Sequence, residues 1–337
     1  MKERFRFFNY IKRIAFSNLF DSLITLSIIF VVTVCATLIL KWTLFEAQWG
    51  VVSRNLPLYA FGLFPADQRW RPTLWLLSIA SLSLITLFGP RSHLIRKHLS
   101  LAWIGIIPLG IGLLAGGLGL MSVASRHWGG VTLTILLMTC SSLLAFPIGL
   151  LLAIGRQSDL PLIRYLSAIY IDALRAVPLI SILFFGQLLI PLFLPFGLEI
   201  NRVLRAVFAF SLFVSAYVAE DIRGGLQSIP KSQIEAAKAL GLSKLQITQF
   251  IILPQAITIA LPSLTNQAIG LLQNTSLMSL LGLVELLGIS RSILANPAFI
   301  GRYIEVYVWL AVIYWFICTA MALLARHIEK EMIIEKN

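Results

Sequence analysis

Eight stretches of this chain carry no charged side chain: residues 22–40, 73–90, 99–125, 128–155, 176–198, 206–219, 245–284 and 306–325. That pattern constrains the fold more than any other feature. A membrane-spanning helix needs about 20 consecutive apolar residues, with a range of about 17–25. Of the 337 residues 58% are hydrophobic and 12% charged, and the mean hydropathy is +0.88. Soluble domains are only about 45–50% apolar. A water-soluble fold has no means of hiding so much apolar surface, so the solvent is lipid. The expected fold class is an all-α integral membrane protein with about eight transmembrane helices.

Two runs need interpretation. Residues 206–219 are short, so their ends carry Arg205 and Glu220 near the interface. Residues 245–284 are long enough for two helices; we assign one span, near residues 255–277. With the N-terminus inside, 18 of the 27 Lys and Arg residues then fall on the cytoplasmic side. The positive-inside rule favours that arrangement, with both termini cytoplasmic. The net charge of +12 follows from basic residues lying between apolar runs rather than on one face, so nucleic acid is not an expected partner. Residues 22–40 are too long for a signal-peptide core, and no small-residue cleavage site follows, so they read as an uncleaved span.

Residues 1–125 read as an N-terminal extension with three spans, and residues 126–337 as a second unit with five. In the outside segment 41–72, Trp42, Trp49, Tyr59 and Trp70 suit anchoring at headgroup level. Gly112 and Gly116, with Gly117 and Gly119 following, suit close helix packing. Cys35, Cys140 and Cys318 lie in apolar runs and read as buried thiols. His93, His98, His127 and His327 show no metal-ligand spacing, so no metal site is expected.

One segment breaks the apolar pattern. Around Glu235-Ala236-Ala237 the sequence is charged and helical. Pro230 is a start signal, Ser232 with Glu235 forms a capping-box pattern, and Gly241 is a natural stop. The helix is about ten residues long, too short to be stable alone in water, so it is expected to dock against a partner. Glu235 near its N-terminus suits the helix dipole. Elsewhere, Ser263, Gln267, Gly270 and Asn274 recur on one face of the seventh apolar run, with Asn266 and Gln273 alongside. Polar residues in a span face protein or water rather than lipid. That face suits either a substrate path or hydrogen bonding between helices. Glu220 and Arg223 stand at i, i+3 and are expected to pair at the cytoplasmic edge, and Arg175 to snorkel to the interface.

The spacing of Glu235-Ala236-Ala237, three residues, Gly241, nine residues, then Ile251-Ile252-Leu253-Pro254 resembles the EAA signature of permease subunits of bacterial ABC importers. Further segments resemble the polar amino acid branch, the histidine/glutamine permease family. They are Trp128-Gly129-Gly130-Val131-Thr132-Leu133-Thr134, Arg175-Ala176-Val177-Pro178-Leu179, Ala216 to Pro230, Asn274-Thr275-Ser276-Leu277 and Glu285-Leu286-Leu287-Gly288. The resemblance covers roughly residues 126–330. It is nearest to the extended permeases of general L-amino acid and of glutamate, glutamine, aspartate and asparagine uptake systems. Two departures stand out: Ala176 replaces the family's glycine, and Gln273-Asn274 replaces a Lys-Asp or Lys-Asn pair.

The resemblance implies a MetI-like five-helix permease core preceded by three extra helices. It implies a coupling loop at about 228–254, with Glu235, Ala236, Ala237, Gly241, Leu242 and Ser243 meeting a cytoplasmic ABC ATPase dimer. It also implies a second permease subunit (a related hetero-partner), a periplasmic amino-acid-binding protein and a bacterial inner-membrane location. Asn266, Gln267, Gln273, Asn274, Thr275, Tyr217 and Glu220 are the candidate substrate-path residues. The sequence holds no G-x-x-x-x-G-K-[ST] loop and no nucleophile–base set. No enzyme activity and no cofactor of its own are therefore expected, ATP and Mg being bound by the partner ATPase. The alternative is an ion-gradient-driven secondary amino acid transporter, which would place carboxylates in broken helices.

Overall fold

A computed structural model describes residues 15–89, 93–117, 119–195, 197 and 199–334. The chain divides into two compact units, Met1–Val51 and Val52–Asn337. In the first, helix α1 (Leu19–Lys41) continues through a wider π turn, Trp42–Glu46. Asn18 caps it by accepting from the Asp21 amide at 2.8 Å. The helix is apolar on every face and buries none of them within the unit, the signature of a span that faces lipid or other helices. Trp42 and Trp49 meet edge-on at 5.9 Å between ring centres, and the Trp49 indole donates to the Thr43 carbonyl.

The second unit contains α2 (Leu56–Phe61), α3 (Trp70–Phe88), α4 (His93–Ala115), α5 (Gly130–Arg156) and α6 (Pro161–Ala176). It goes on with α7 (Leu179–Phe184), α8 (Arg202–Gln227), α9 (Lys231–Ala239), α10 (Leu253–Asn274), α11 (Leu286–Leu294) and α12 (Tyr303–Ile334). Its heart is the crossing of α5 with α8, and of α8 with α10. In lipid, apolar burial does not drive helices together, so association relies on close packing of small residues. Gly149 of α5 lies under Val218, where a Cβ would come within 2.5 Å of the valine side chain. Ser211 bridges the same seam, its hydroxyl 2.6 Å from the Val207 carbonyl and 3.3 Å from that of Ser141. On the other side Gly225 meets Ala256 of α10, where a Cβ would lie 2.3 Å from the alanine carbonyl.

Six helices among the described residues are long and apolar enough to cross a membrane. The helix pair Pro161–Ala176 and Leu179–Phe193, bent by 102°, makes a seventh. The eighth expected span corresponds to α4, whose apolar stretch Leu101–Ala115 is shorter. The single-span assignment for residues 245–284 agrees with the structure. One continuous helical segment, Lys244–Leu281, passes through a π turn, Ile247–Ile252, near its start and ends in a 3-10 turn.

Several local expectations are corrected. The third apolar run is helical only to Ala115; Gly116, Gly117 and Gly119 take positive φ and form a turn. The fifth run, 176–198, is broken at Val177–Pro178, and its preceding helix α6 is amphipathic and begins at Pro161. Tyr59 is no lipid anchor: it is 2% exposed, with its hydroxyl 3.4 Å from that of Ser290 on α11. Only Cys140 is a buried thiol; Cys318 is half-buried and Cys35 exposed on α1. Gly112 meets nothing within 4 Å, and the packing glycine is Gly110. It lies against Trp75, which is fully buried and donates to the Ile106 carbonyl at 2.8 Å.

That contact makes a test. Gly110→Leu forces the Trp75 ring out of its place and should cost about 1–3 kcal/mol, the usual range for overpacking. Gly112→Leu, two residues on and in open space, should melt like wild type in detergent. Equal melting of both variants would show that α3 and α4 do not rely on this contact.

Candidate functional site: a short loop helix linked to a polar span

Helix α9 forms where the sequence places it, and its end is built as expected. Gly241 takes φ +77. The Leu242 amide donates to the Ala237 carbonyl at 3.2 Å and the Gly241 amide to the Lys238 carbonyl at 2.9 Å. This is the double bond pattern of a Schellman stop, whose left-handed residue favours glycine. The start is different. Pro230 is the N-cap and Ser232 makes no cap bond. The capping box belongs instead to Ser243 and Gln246, which open the next turn reciprocally at 2.9 and 3.4 Å. Pro230 already fixes an extended entry, so Ser232 falls inside the helix.

The helix has two unlike faces. Ala237 is 2% exposed against the body of the protein. Glu235, Ala236, Gly241 and Ser243 are exposed, Leu242 is half-buried, and Leu240 and Leu245 are 81% and 73% exposed. Two polar contacts fasten this loop. Gln255 of α10 donates to the Gln233 side chain at 2.8 Å, and its amide also bonds back along its own helix to the Ile251 carbonyl at 2.9 Å. Lys244 pairs with Asp159 in the turn between α5 and α6. The hydrogen bond and charge of Lys244 hold the Asp159 carboxyl below its usual range, though both groups are exposed and the pair is worth little by itself.

Above the loop lies an ion cluster. Glu220 of α8 accepts from Arg156 (2.8 Å) and Arg223 (2.8 Å) and lies 3.4 Å from Arg175. Asp172 shares Arg156 at 3.1 Å. The Arg175 guanidinium also stacks over the Tyr217 ring at 5.5 Å, a favourable cation–π geometry. The expected Glu220–Arg223 pair is therefore present but is half of a larger group. Arg175 does not snorkel; it closes the cluster.

The α10 polar residues do not share one environment. Gln267 lies near the Asp221 carboxyl on α8, whose Oδ2 is buried without a hydrogen-bond partner. Gly270 faces open space and Asn274 is half-buried. Ser263, Asn266 and Gln273 are exposed. Asn266 lines a shallow groove of about 160 Å³ with Arg326 and Glu329 of α12, and Gln273 points to Cys318 on the same helix. Thr275 has no exposed surface and donates to the Leu272 carbonyl at 2.6 Å, so it lines no passage in this conformation. Tyr217 and Glu220 belong to the ion cluster rather than to the α10 face.

Two groups gained no role from sequence reasoning. Asp221 is one, and only its place beside Glu220 hinted at it. Glu285 is the other. It is fully buried, accepts from the Leu287 and Gly288 amides at 2.9 Å, and receives the Tyr314 hydroxyl at 3.3 Å. Burial pushes its carboxyl up to about 7 despite those donors. It caps α11 from inside the protein.

Comparison with known proteins fits this arrangement. Residues 145–334 match the family described as binding-protein-dependent transport system inner membrane component. The inner membrane amino-acid ABC transporter permease protein YhdY of Escherichia coli K12 is 36% identical over 338 residues, covering 95% of this chain and 92% of that protein. The glutamate/glutamine/aspartate/asparagine transport system permease protein BztC of Rhodobacter capsulatus is 35% identical, covering 84% of this chain and 67% of its own length. A crystal structure of an amino acid ABC transporter with histidines superposes with a TM-score of 0.53 at 29% identity, over 59% of this chain and 90% of that one. The chain belongs to the inner-membrane component family of binding-protein-dependent transport systems, the multi-pass permease subunits of ABC importers. The ion-gradient-driven alternative gains no support from these matches.

Proposed function

We propose that this chain forms the substrate path of an importer of polar L-amino acids, acidic and neutral, and couples it to a separate ATPase. The observation that carries the coupling is the free face of α9. A loop helix that leaves Leu240 and Leu245 bare beside Glu235 and Ala236 has the makings of a docking surface. The partners in this reading are a cytoplasmic ATPase dimer that binds ATP and Mg, a second, related permease subunit and a periplasmic amino-acid-binding protein. Both termini then face the cytoplasm. The amino acid class rests on the names of the relatives above.

The lever runs through this chain's own contacts. A displacement of α9 reaches α10 through Gln233–Gln255 and reaches the α5–α6 turn through Lys244–Asp159. From α10 it reaches α8 through the Gly225–Ala256 contact. The α10 face with Gln267, Gly270 and Asn274 offers donors and acceptors without a fixed charge, which suits weak holding and release of a zwitterion.

The test replaces both exposed leucines. Leu240→Asp with Leu245→Asp should leave the protein in the membrane at normal yield. Buried in a groove, two such side chains contribute about 1.5–3 kcal/mol each, so co-purification of the ATPase should fall at least tenfold and ATP-dependent uptake with it. Normal recovery of the ATPase and normal uptake would remove α9 as the docking element.

A further inference from the structure

A second feature sits at the opposite end of α8 from the ion cluster. A cavity of about 920 Å³ is lined by the segment before α5, the end of the α7 region, the start of α8 and the turn after α10. That volume lies within the range of small-ligand pockets, about 300–1,000 Å³. Arg126, Arg202 and Arg205 line it, together with one carboxylate, Glu199. Among the described residues none of the three arginines forms an ion pair.

One of the three guanidiniums is held in place, while Arg126 and Arg202 are exposed. Arg205 donates through Nη1 to the Gln187 carbonyl at 2.7 Å, and the Gln187 amide donates to the Arg202 carbonyl at 2.8 Å. Yet the Arg205 Nε is buried with no partner. Ser125 donates to the Asn201 side chain at 3.0 Å, which also caps α8 by accepting from Val203. This bond fixes the Arg126 segment against the start of α8. Trp128 and Val284 supply an apolar wall. Guanidinium groups bind carboxylates through paired, directional donors, and unpaired ones in a cavity focus a positive field.

We propose that this cavity receives a dicarboxylic amino acid before it enters the passage. The match is one of count and sign. Such a ligand carries two carboxylates and one ammonium, and the cavity offers three guanidiniums and one carboxylate. Glu199 takes the ammonium, and the arginines take the carboxylates. The turn after α10 lines the cavity at Gly282, so the ligand would be released close to the Asn274 end of the polar face. The proposal rests on the reading of this chain as an amino acid permease and narrows its substrate.

The experiment compares isosteres. The complete importer in membrane vesicles, with its binding protein saturating, is assayed for initial uptake of glutamate against glutamine and of aspartate against asparagine. Arg205→Gln and Arg126→Gln remove one charge each; Arg126 lies outside the long helices, so its loss leaves their packing intact. One charge-assisted hydrogen bond is worth roughly a factor of ten. In at least one of the two variants, the one that has lost the partner of the side-chain carboxylate, uptake of the acidic member should fall by about that factor while the neutral member stays within about twofold; if that residue is Arg205, Arg205→Lys should recover part of the loss. Equal loss of both members in both variants would assign the arginines to docking of the binding protein or to structure, and unchanged uptake in both would leave the cavity idle; either overturns the proposal. Wild-type vesicles that carry neutral but no acidic amino acids would also overturn it, with the permease reading intact. Wild-type vesicles with no ATP-dependent amino acid uptake would instead overturn the permease reading.

Discussion

Glu220→Gln is expected to lose most transport and to lower the melting temperature of the detergent-purified protein. The side chain keeps its shape and some acceptor capacity but loses its charge. Among the described residues, the ion pair then left to Arg156, Arg175 and Arg223 is Arg156–Asp172. Exposed ion pairs contribute about 0.2–1 kcal/mol, whereas breaking a buried one costs about 3–5 kcal/mol. Glu220 keeps 16% of its side-chain exposure and the arginines 26–40%, so the cost falls between, at about 2 kcal/mol. The functional loss should be larger than that figure suggests. The cluster ties α5, α6 and α8 together at the end where α9 would deliver its push. A double-mutant cycle with Arg156→Gln measures the coupling, which should exceed about 1 kcal/mol. Wild-type melting and uptake in Glu220→Gln would reduce the cluster to a solvated surface group.

That cluster also shows what a single sequence discloses. Glu220 and Arg223 sit at i, i+3, so their pairing is a local matter and legible. Arg156 and Arg175 reach the same carboxylate from far earlier in the chain, and nothing in their neighbourhoods announces it. The α9 stop is legible for the same local reason: Gly241 ends a charged helical pattern whatever surrounds it. The start was misread because two cap signals compete, and Pro230 sets the entry before Ser232 is reached. Counting apolar residues locates spans but not bends. The run 176–198 has no charge to mark the break at Val177–Pro178, and α6 is too amphipathic to register as a span.

The α10 face was half legible. Helical spacing puts Gln267, Gly270 and Asn274 together, and nothing in that spacing tells which neighbour each meets. Gln267 lies near Asp221 on α8, while Asn266 and Gln273 turn toward α12. Thr275 begins a 3-10 turn, which rotates it off the α-helical face and into the core. The spacing around Glu235–Gly241 encodes a local shape, a short helix and its stop, and that shape is present. Which residues line a path depends on which helices face each other, and spacing along one helix does not carry that.

Gly130→Val is expected to be the most damaging single change in the chain, although residue 130 touches neither the loop helix nor the polar face. Gly130 takes φ +57, a left-handed conformation in which a β-branched residue is strained. A Cβ there would lie 2.1 Å from the Tyr59 carbonyl, a backbone atom that cannot swing aside. Its neighbour Gly129 faces Gly62 across another close contact, 2.8 Å from a Cβ to the Gly62 Cα. Around this point Thr132 donates to the Ala60 carbonyl at 2.8 Å, and the Gly130 amide donates to Val284 at 3.0 Å. Three distant segments therefore meet on two glycines. Strain of about 1–3 kcal/mol from the backbone and a similar amount from overpacking should displace α2 and expose Tyr59. The measurements are yield, melting temperature and protease cleavage near residue 60, with Gly105→Ala as the control because nothing lies within 4 Å of it. The outcome bears on the extension at large. Residues 52–125 pack in the same compact unit as the permease helices. If Gly130→Val melts like wild type, that segment is a loose appendage, and removing it should leave the remaining helices undisturbed. If the variant collapses as expected, the segment before α5 is part of the structure that holds α5 and α11 in place.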